Sequence, residues 1–179
     1  MFKNFKMSEK TFKRISEYQP YVVLLIIFFI MQSLFTFAFV PSKSMYPTLA
    51  IKEFLVANHD SAETFDYGDI VIFHPEAGSS EVWVKRVIGL PGDTIAVNDG
   101  HLIRNGEVVT EEYLMEDTIN YVMDEITVPE NCYFMLGDNR NNSFDSHIIG
   151  SIPADQFIGK VIFHIRFFPD DTLNSLLKA

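Results

Sequence analysis

The sequence predicts a mainly β protein: a single N-terminal transmembrane helix followed by an extracytoplasmic, partly closed antiparallel β-sheet domain. Three observations carry that expectation. Residues 21–40 (YVVLLIIFFIMQSLFTFAFV) hold no charge. Downstream, short β-branched and aromatic runs alternate with turn dipeptides. No convincing amphipathic helical pattern appears before the last dozen residues.

At 179 residues the chain has room for one modest domain and an appendage. Hydrophobic residues at 47% and aromatics at 14% exclude a disordered chain and supply a real core. The net charge of −10 argues against a general nucleic-acid binder, because phosphate contacts need the opposite sign. That sum hides a split. Residues 1–40 carry five bases (Lys3, Lys6, Lys10, Lys13, Arg14) and two acids (Glu9, Glu17), a net +3, and the remainder carries nine bases and twenty-two acids, a net −13. Two environments are implied. The lone cysteine, Cys132, excludes an internal disulfide framework and reads as a small strand hydrophobe.

The first element is therefore the apolar run. Twenty helical residues reach about 30 Å, the hydrocarbon thickness of a bilayer. Pro20 and Pro41 bracket the run, and every base of the N-terminal region precedes it. The positive-inside bias makes 1–20 a cytoplasmic segment, 21–40 the transmembrane helix and 41–179 the extracytoplasmic β domain in which chemistry would sit. Two alternatives compete. A buried core helix this apolar all round would be unusual in so small a domain. A cleavable secretory signal could use the small-x-small triplet Ser42-Lys43-Ser44, but the apolar run exceeds the roughly 7–15 residues typical of such signals.

The strands follow. Tyr67-Gly68-Asp69 leads into Ile70–Phe73, and 81–88 (EVWVKRVI) alternates before the Leu90-Pro91-Gly92-Asp93 turn. Asp99-Gly100 separates IAVN from HLIR, and Asn105-Gly106 separates HLIR from EVV. Both dipeptides suit two-residue type I′ hairpin turns. CYFML at 132–136 and GKVIFHIRFF at 159–168 complete the inventory. The acidic stretch 111–127 reads as a solvated excursion from the sheet.

Candidate chemistry begins at Pro41–Leu49 (PSKSMYPTL), where two prolines hold small hydroxyl residues on a stiff loop. A serine hydroxyl needs a base within hydrogen-bond reach. The five histidines fall in no serine-hydrolase motif, and there is no Gly-x-Ser-x-Gly elbow. The other candidate base is Lys85, set among Trp83, Val84, Val87 and Ile88 in a strand fit for burial. Desolvation favours an uncharged amine, although the acidic field of the domain opposes it. Lowering the pKa from about 10.4 to about 8.5 costs roughly 2.6 kcal/mol. Arg86 points to the opposite face and needs a partner, which the polar loop 137–147 could supply from Asp138 or Asp145, together with a hydroxyl to orient Lys85. The Asn141-Asn142-Ser143 sequon and the faint phosphate-loop likeness of Gly159-Lys160 are too short or wrongly spaced to carry weight.

Taken in order, Ser42–Leu49, Gly68–Val71, Lys85–Asp93 and Gly137–Ser146 closely resemble the boxes of bacterial type I signal peptidases, over 41 to about 168. The resemblance implies a membrane-bound Ser/Lys-dyad endopeptidase that removes signal peptides from secreted preproteins after small residues at −3 and −1. It makes Ser44 the nucleophile and Lys85 the general base. The Ser42 hydroxyl would join the Ser44 N–H in an oxyanion hole. Ser143 would orient the lysine, Arg86 and Asp138 would form a supporting ion pair with Asp145 nearby, and Val40, Pro41, Met45, Leu49, Trp83 and Val84 would line shallow substrate pockets. It implies no cofactor and no metal, a monomer, signal-peptide-bearing preproteins and a lipid bilayer as partners, and a plasma-membrane location. The chain departs from the family pattern in having Asn141 where many members have Asp, and His147 where Arg often pairs with the second aspartate, which puts the ion-pair support around Asp145 in doubt or makes it pH-dependent through His147. Two other readings stay open: a non-catalytic, membrane-tethered β module, and a self-cleaving Ser/Lys regulator, although residues 1–40 do not resemble a DNA-binding segment.

Overall fold

The computed structural model describes residues 9–59 and 64–167, which form two units. The first is helix α1 (Glu9–Leu34). Its stretch Ser16–Leu34, 19 residues with a mean hydropathy of 1.4, is long and apolar enough to cross a membrane, and none of it is buried within the protein. The helix differs from the expected 21–40 at both ends. It starts earlier, with Pro20 inside it. It stops at Leu34 because Phe35–Phe39 (FTFAF), aromatic and β-branched, is strand β1 instead. Residues 1–8, and the last dozen residues, lie outside the described residues.

The second unit is mainly β. Strand β1 pairs antiparallel with β2 (Phe54–Asn58) in a register running from Phe35 opposite Asn58 to Phe39 opposite Phe54. The others are β3 (Ile70–Phe73), β4 (Trp83–Gly89), β5 (Thr94–Asn98), β6 (His101–Arg104), β7 (Glu107–Val108), β8 (Met123–Thr127), β9 (Cys132–Leu136), β10 (Ile152–Pro153) and β11 (Phe157–Ile165). A seven-stranded sheet has the order β1-β2-β11-β3-β4-β9-β10, and a four-stranded sheet the order β7-β6-β5-β8. All the pairings are antiparallel.

Strand alternation distributes the core. In β9, Tyr133 and Met135 join Val71, Phe73, Val87 and Phe157 in one cluster, while Phe134 and Leu136 face a second cluster built on Ile95, Val97 and Leu102 of the small sheet. Cys132 packs at the margin of that second cluster as a free, partly buried thiol. A third cluster, with Val40, Met45, Leu49, Leu55, Ile72 and Val84, supports the 41–50 loop. Both hairpin turns have the expected left-handed pairs: Asp99 and Gly100 at φ 49° and 79°, Asn105 and Gly106 at 54° and 80°. The 111–127 expectation holds only in part. Residues 123–127 form an edge strand on β5, and Glu111 is buried against Arg140 rather than solvated.

Candidate active site

The 41–49 loop leaves β1 and returns to β2, and it is tied at both ends. Val40 donates its N–H to Glu53 O (3.0 Å), and Lys52 donates to Val40 O (2.8 Å). Met45 and Leu49, 1% and 0% exposed, plug the third core cluster and fix the loop from below. Ser44 between them is held from the other side, where Asn139 donates its N–H to Ser44 O (3.0 Å) and its Nδ2 to Lys43 O (3.2 Å).

Lys85 enters from β4. It shares a strand face with Trp83 and Val87, and its ammonium end lies 5.7 Å from the Trp83 ring centre. Its Nζ stands 2.7 Å from Ser44 Oγ, and both side chains are buried. A cationic lysine donates across that gap; a neutral one accepts the serine hydrogen. Burial pushes the amine down from the ordinary 10.5 to about 8, against the attraction of Asp145 and Asp138. A non-catalytic β module has no reason to bring a serine and a desolvated lysine this close. Ser42 Oγ accepts the Ser44 N–H at 3.5 Å and donates its own hydrogen to Ser44 Oγ at 3.2 Å, so one hydroxyl bridges the Ser44 amide and the Ser44 side chain.

The loop after β9 supplies the support. Arg86, on the opposite face of β4, grips Asp138 with two arms (Nε to Oδ1 2.8 Å, Nη2 to Oδ2 2.6 Å), donates Nη1 to Gly68 O (2.8 Å), and faces Thr48, which itself donates to Asp138. The serine loop and the lysine strand thus meet on one carboxylate. Asp145 does not join Arg86. Its Oδ2 accepts the Gly137 N–H (2.9 Å) and its Oδ1 meets His147 Nδ1 (2.6 Å), with the His147 ring stacked on Tyr121. The imidazole thus reaches the carboxylate of its near neighbour in the chain. Ser143 is not bonded to Lys85: its Oγ is buried without a hydrogen-bond partner, packed against Gly137.

An open cleft of about 510 Å³ runs past the pair. Of the expected pocket residues, Val40, Pro41, Met45, Trp83 and Val84 line it, while Leu49 does not, because its side chain is spent in the core beneath. Sequence reasoning missed Ile51, Val82 and Phe144, which also line the cleft, and Phe144 meets Trp83 edge to face at 5.7 Å between ring centres. The signal was available in Val82 and Phe144, large apolar residues beside turn-forming neighbours. Also missed was Glu53, 2% exposed, which accepts from Ala50 N (2.7 Å) and Arg166 Nε (3.2 Å) and pairs with His164. Burial pushes its carboxyl up, but these donors outweigh burial and hold it below the usual range. Arg166, just past the end of β11, in turn donates to Pro47 O (3.2 Å) and Thr48 O (3.4 Å), bracing the serine loop. Among the described residues no group of three or more His, Cys, Asp or Glu could hold a metal ion.

Comparison with known proteins places this geometry in context. The family model described as signal peptidase, peptidase S26, matches residues 15–166. Signal peptidase I of Leptolyngbya laminosa is 36% identical over 77% of this chain and 71% of its own. Signal peptidase I of Bacillus caldolyticus is 40% identical over 73% and 78%, respectively. Signal peptidase I P of Bacillus subtilis subsp. natto is 37% identical over 85% and 87%.

Proposed function

The chain belongs to the signal peptidase family, peptidase S26, and from that premise we infer that it is a membrane-bound serine endopeptidase that cleaves signal peptides from preproteins with Ser44 as nucleophile and Lys85 as general base. The observation that carries the reading is the 2.7 Å approach of a buried amine, at about 8, to a buried hydroxyl. Neutral Lys85 takes the Ser44 proton as Oγ attacks the scissile carbonyl carbon. The oxyanion is received by the Ser44 N–H and the Ser42 hydroxyl, each such donor being worth about 3 kcal/mol. The ammonium of Lys85 then protonates the leaving amine. After release of the mature chain, the same amine deprotonates the water that cleaves the acyl-enzyme. The Ser143 hydroxyl, buried and without a partner, is suited to accept from the ammonium in the charged steps, since an unpaired buried hydroxyl costs about 1–3 kcal/mol.

Small residues at −3 and −1 suit a cleft whose apolar lining includes Met45, Val84 and Trp83. The bases of the N-terminal region favour a cytoplasmic N-terminus, a single crossing by Ser16–Leu34 and an extracytoplasmic catalytic domain at the plasma membrane. The protein then works as a monomer on preproteins at a lipid bilayer, without a cofactor.

The test is direct. Detergent-solubilised protein incubated with a preprotein releases a mature chain whose new N-terminus follows a small residue. Ser44→Ala and Lys85→Ala give no product while retaining the parent circular dichroism, and Lys85→Arg fails as well because a guanidinium keeps its proton. Cleavage by any of the three near the parent rate would reject the dyad.

A further inference from the structure

The stretch between β7 and β8 has no helix or strand, and its acids suggest solvent. Where Glu111 meets Arg140 of the 137–147 loop it is dry, although its contacts with Asn141 further along are exposed. The side chains of Glu111 and Arg140 are 3% and 1% exposed and are joined by two hydrogen bonds of 2.7 and 2.5 Å. Tyr113 donates its hydroxyl to the same carboxylate, and its ring lies 3.9 Å beneath the Arg86 guanidinium. Further along, Asn120 donates its N–H to Asn141 Oδ1 (2.7 Å), and Tyr121 stacks on His147 with ring centres 4.3 Å apart.

The geometry points to residues 111–121 as a strap that positions the Ser44–Lys85 pair, with Glu111 as its principal positioning residue. The inference rests on the reading of that pair as a dyad. Two routes run from the Glu111 carboxylate. Through Arg140, whose Nε donates to Gly137 O (3.0 Å), it holds the Gly137 peptide against the serine: a Cβ added there would stand 2.4 Å from Ser44 O. Through Tyr113 it reaches Arg86, the neighbour of Lys85 in β4. One carboxylate therefore fixes the backbone that carries the hydroxyl and the strand that carries the amine.

Stability alone does not account for this arrangement. A buried ion pair repays its desolvation poorly, and apolar residues of similar volume commonly match it. What they cannot reproduce is direction: the guanidinium fork sets angle as well as distance, and only a donor can hold Gly137 O. A proton transfer across a short hydrogen bond needs positions fixed to within about 0.5 Å.

The experiment uses the full chain in detergent and the double variant Glu111→Leu/Arg140→Met, which removes both charges together and so leaves none stranded. Two activities are read: acylation of Ser44 by p-nitrophenyl acetate, which needs no peptide recognition, and preprotein cleavage. We expect native-like circular dichroism, acylation and kcat each down about tenfold, KM within twofold, and the acid limb of the pH profile moved to higher pH as Lys85 gains solvent. A folded double variant with acylation within twofold of the parent and an unmoved limb overturns the strap. A parent that is acylated but does not cleave preproteins, with the tenfold loss still seen in the variant, sinks the proposed substrate and leaves the strap standing. A parent that is neither acylated nor able to cleave preproteins sinks both, and one that cleaves them without being acylated leaves kcat for the preprotein to decide, a double variant within twofold of the parent overturning the strap. Should the double variant not fold, Tyr113→Phe decides: removing one hydroxyl from Glu111 lowers acylation about threefold, and an unchanged rate overturns the proposal.

Discussion

At the scale of single residues, Lys85 is badly placed for a cation. Its pKa of about 8, against an ordinary 10.5, means that the unfolded chain binds the proton more tightly than the folded one. The folded pKa is depressed, so stability rises with pH between about 8 and 10.5, and below that window the fold carries a cost of about 3 kcal/mol. Lys85→Met should therefore unfold at higher denaturant than the parent at pH 7, by up to that amount, with the gap closing above pH 10.5, while activity disappears. Equal stability of the two at pH 7 would mean that the amine is solvated. Both members of the pair were legible in the sequence, the lysine because a charge among Trp83, Val84, Val87 and Ile88 is a local contradiction. Glu111 and Arg140 were not, since a charge in a polar stretch looks the same whether it is wet or buried and paired.

At the scale of elements, the 137–147 loop is held to the serine loop by backbone contact, and the absence of a side chain at Gly137 permits it. An added Cβ would stand 2.4 Å from Ser44 O and 2.3 Å from Ser143 Oγ. Because one of these is backbone, a rotamer change cannot relieve the clash. Gly137→Ala should cost about 1–3 kcal/mol in stability and at least tenfold in kcat, measured by chemical denaturation and by acylation rate. The strands with turn signals, β3 to β7 and β9, were read closely. The ones missed had their own physical reasons. Strand β2 (FLVAN) has no Gly or Pro turn beside it to mark its ends. Strand β1 continues an apolar run without a break, so hydropathy could not separate it from the helix. Strand β8 (MDEIT) is an edge strand exposed on most of its length, so its alternation is weak. Strand β10 has only two residues.

At the scale of the whole molecule, the acidic character of the chain works against an uncharged Lys85. Asp145 and Asp138 pull the Lys85 amine upward, and the wider excess of acid adds to them. Salt shortens the reach of such fields, to roughly 3 Å at 1 M against 10 Å at 0.1 M. The acid limb of acylation by a neutral ester should thus move to lower pH as salt is raised; a limb that rises or stays fixed would show that burial alone sets the amine. The two-part organisation, an apolar helix and a β domain, was legible from composition and charge, because each part is extreme in its own way. What was not legible was how the sheets divide, which depends on pairings between residues as distant as Lys160 and Asn58.

The depressed basicity also gives the molecule a chemical weak spot. The sequence holds nine lysines, and at pH 8 an ordinary one is almost entirely protonated and inert to electrophiles. Lys85, half uncharged at that pH and lining an open cleft, offers on the order of a hundredfold more free amine than such a lysine. A reagent as small as cyanate would then carbamylate one side chain well ahead of the other lysines, and if Lys85 is the base proposed above, that single adduct ends preprotein cleavage.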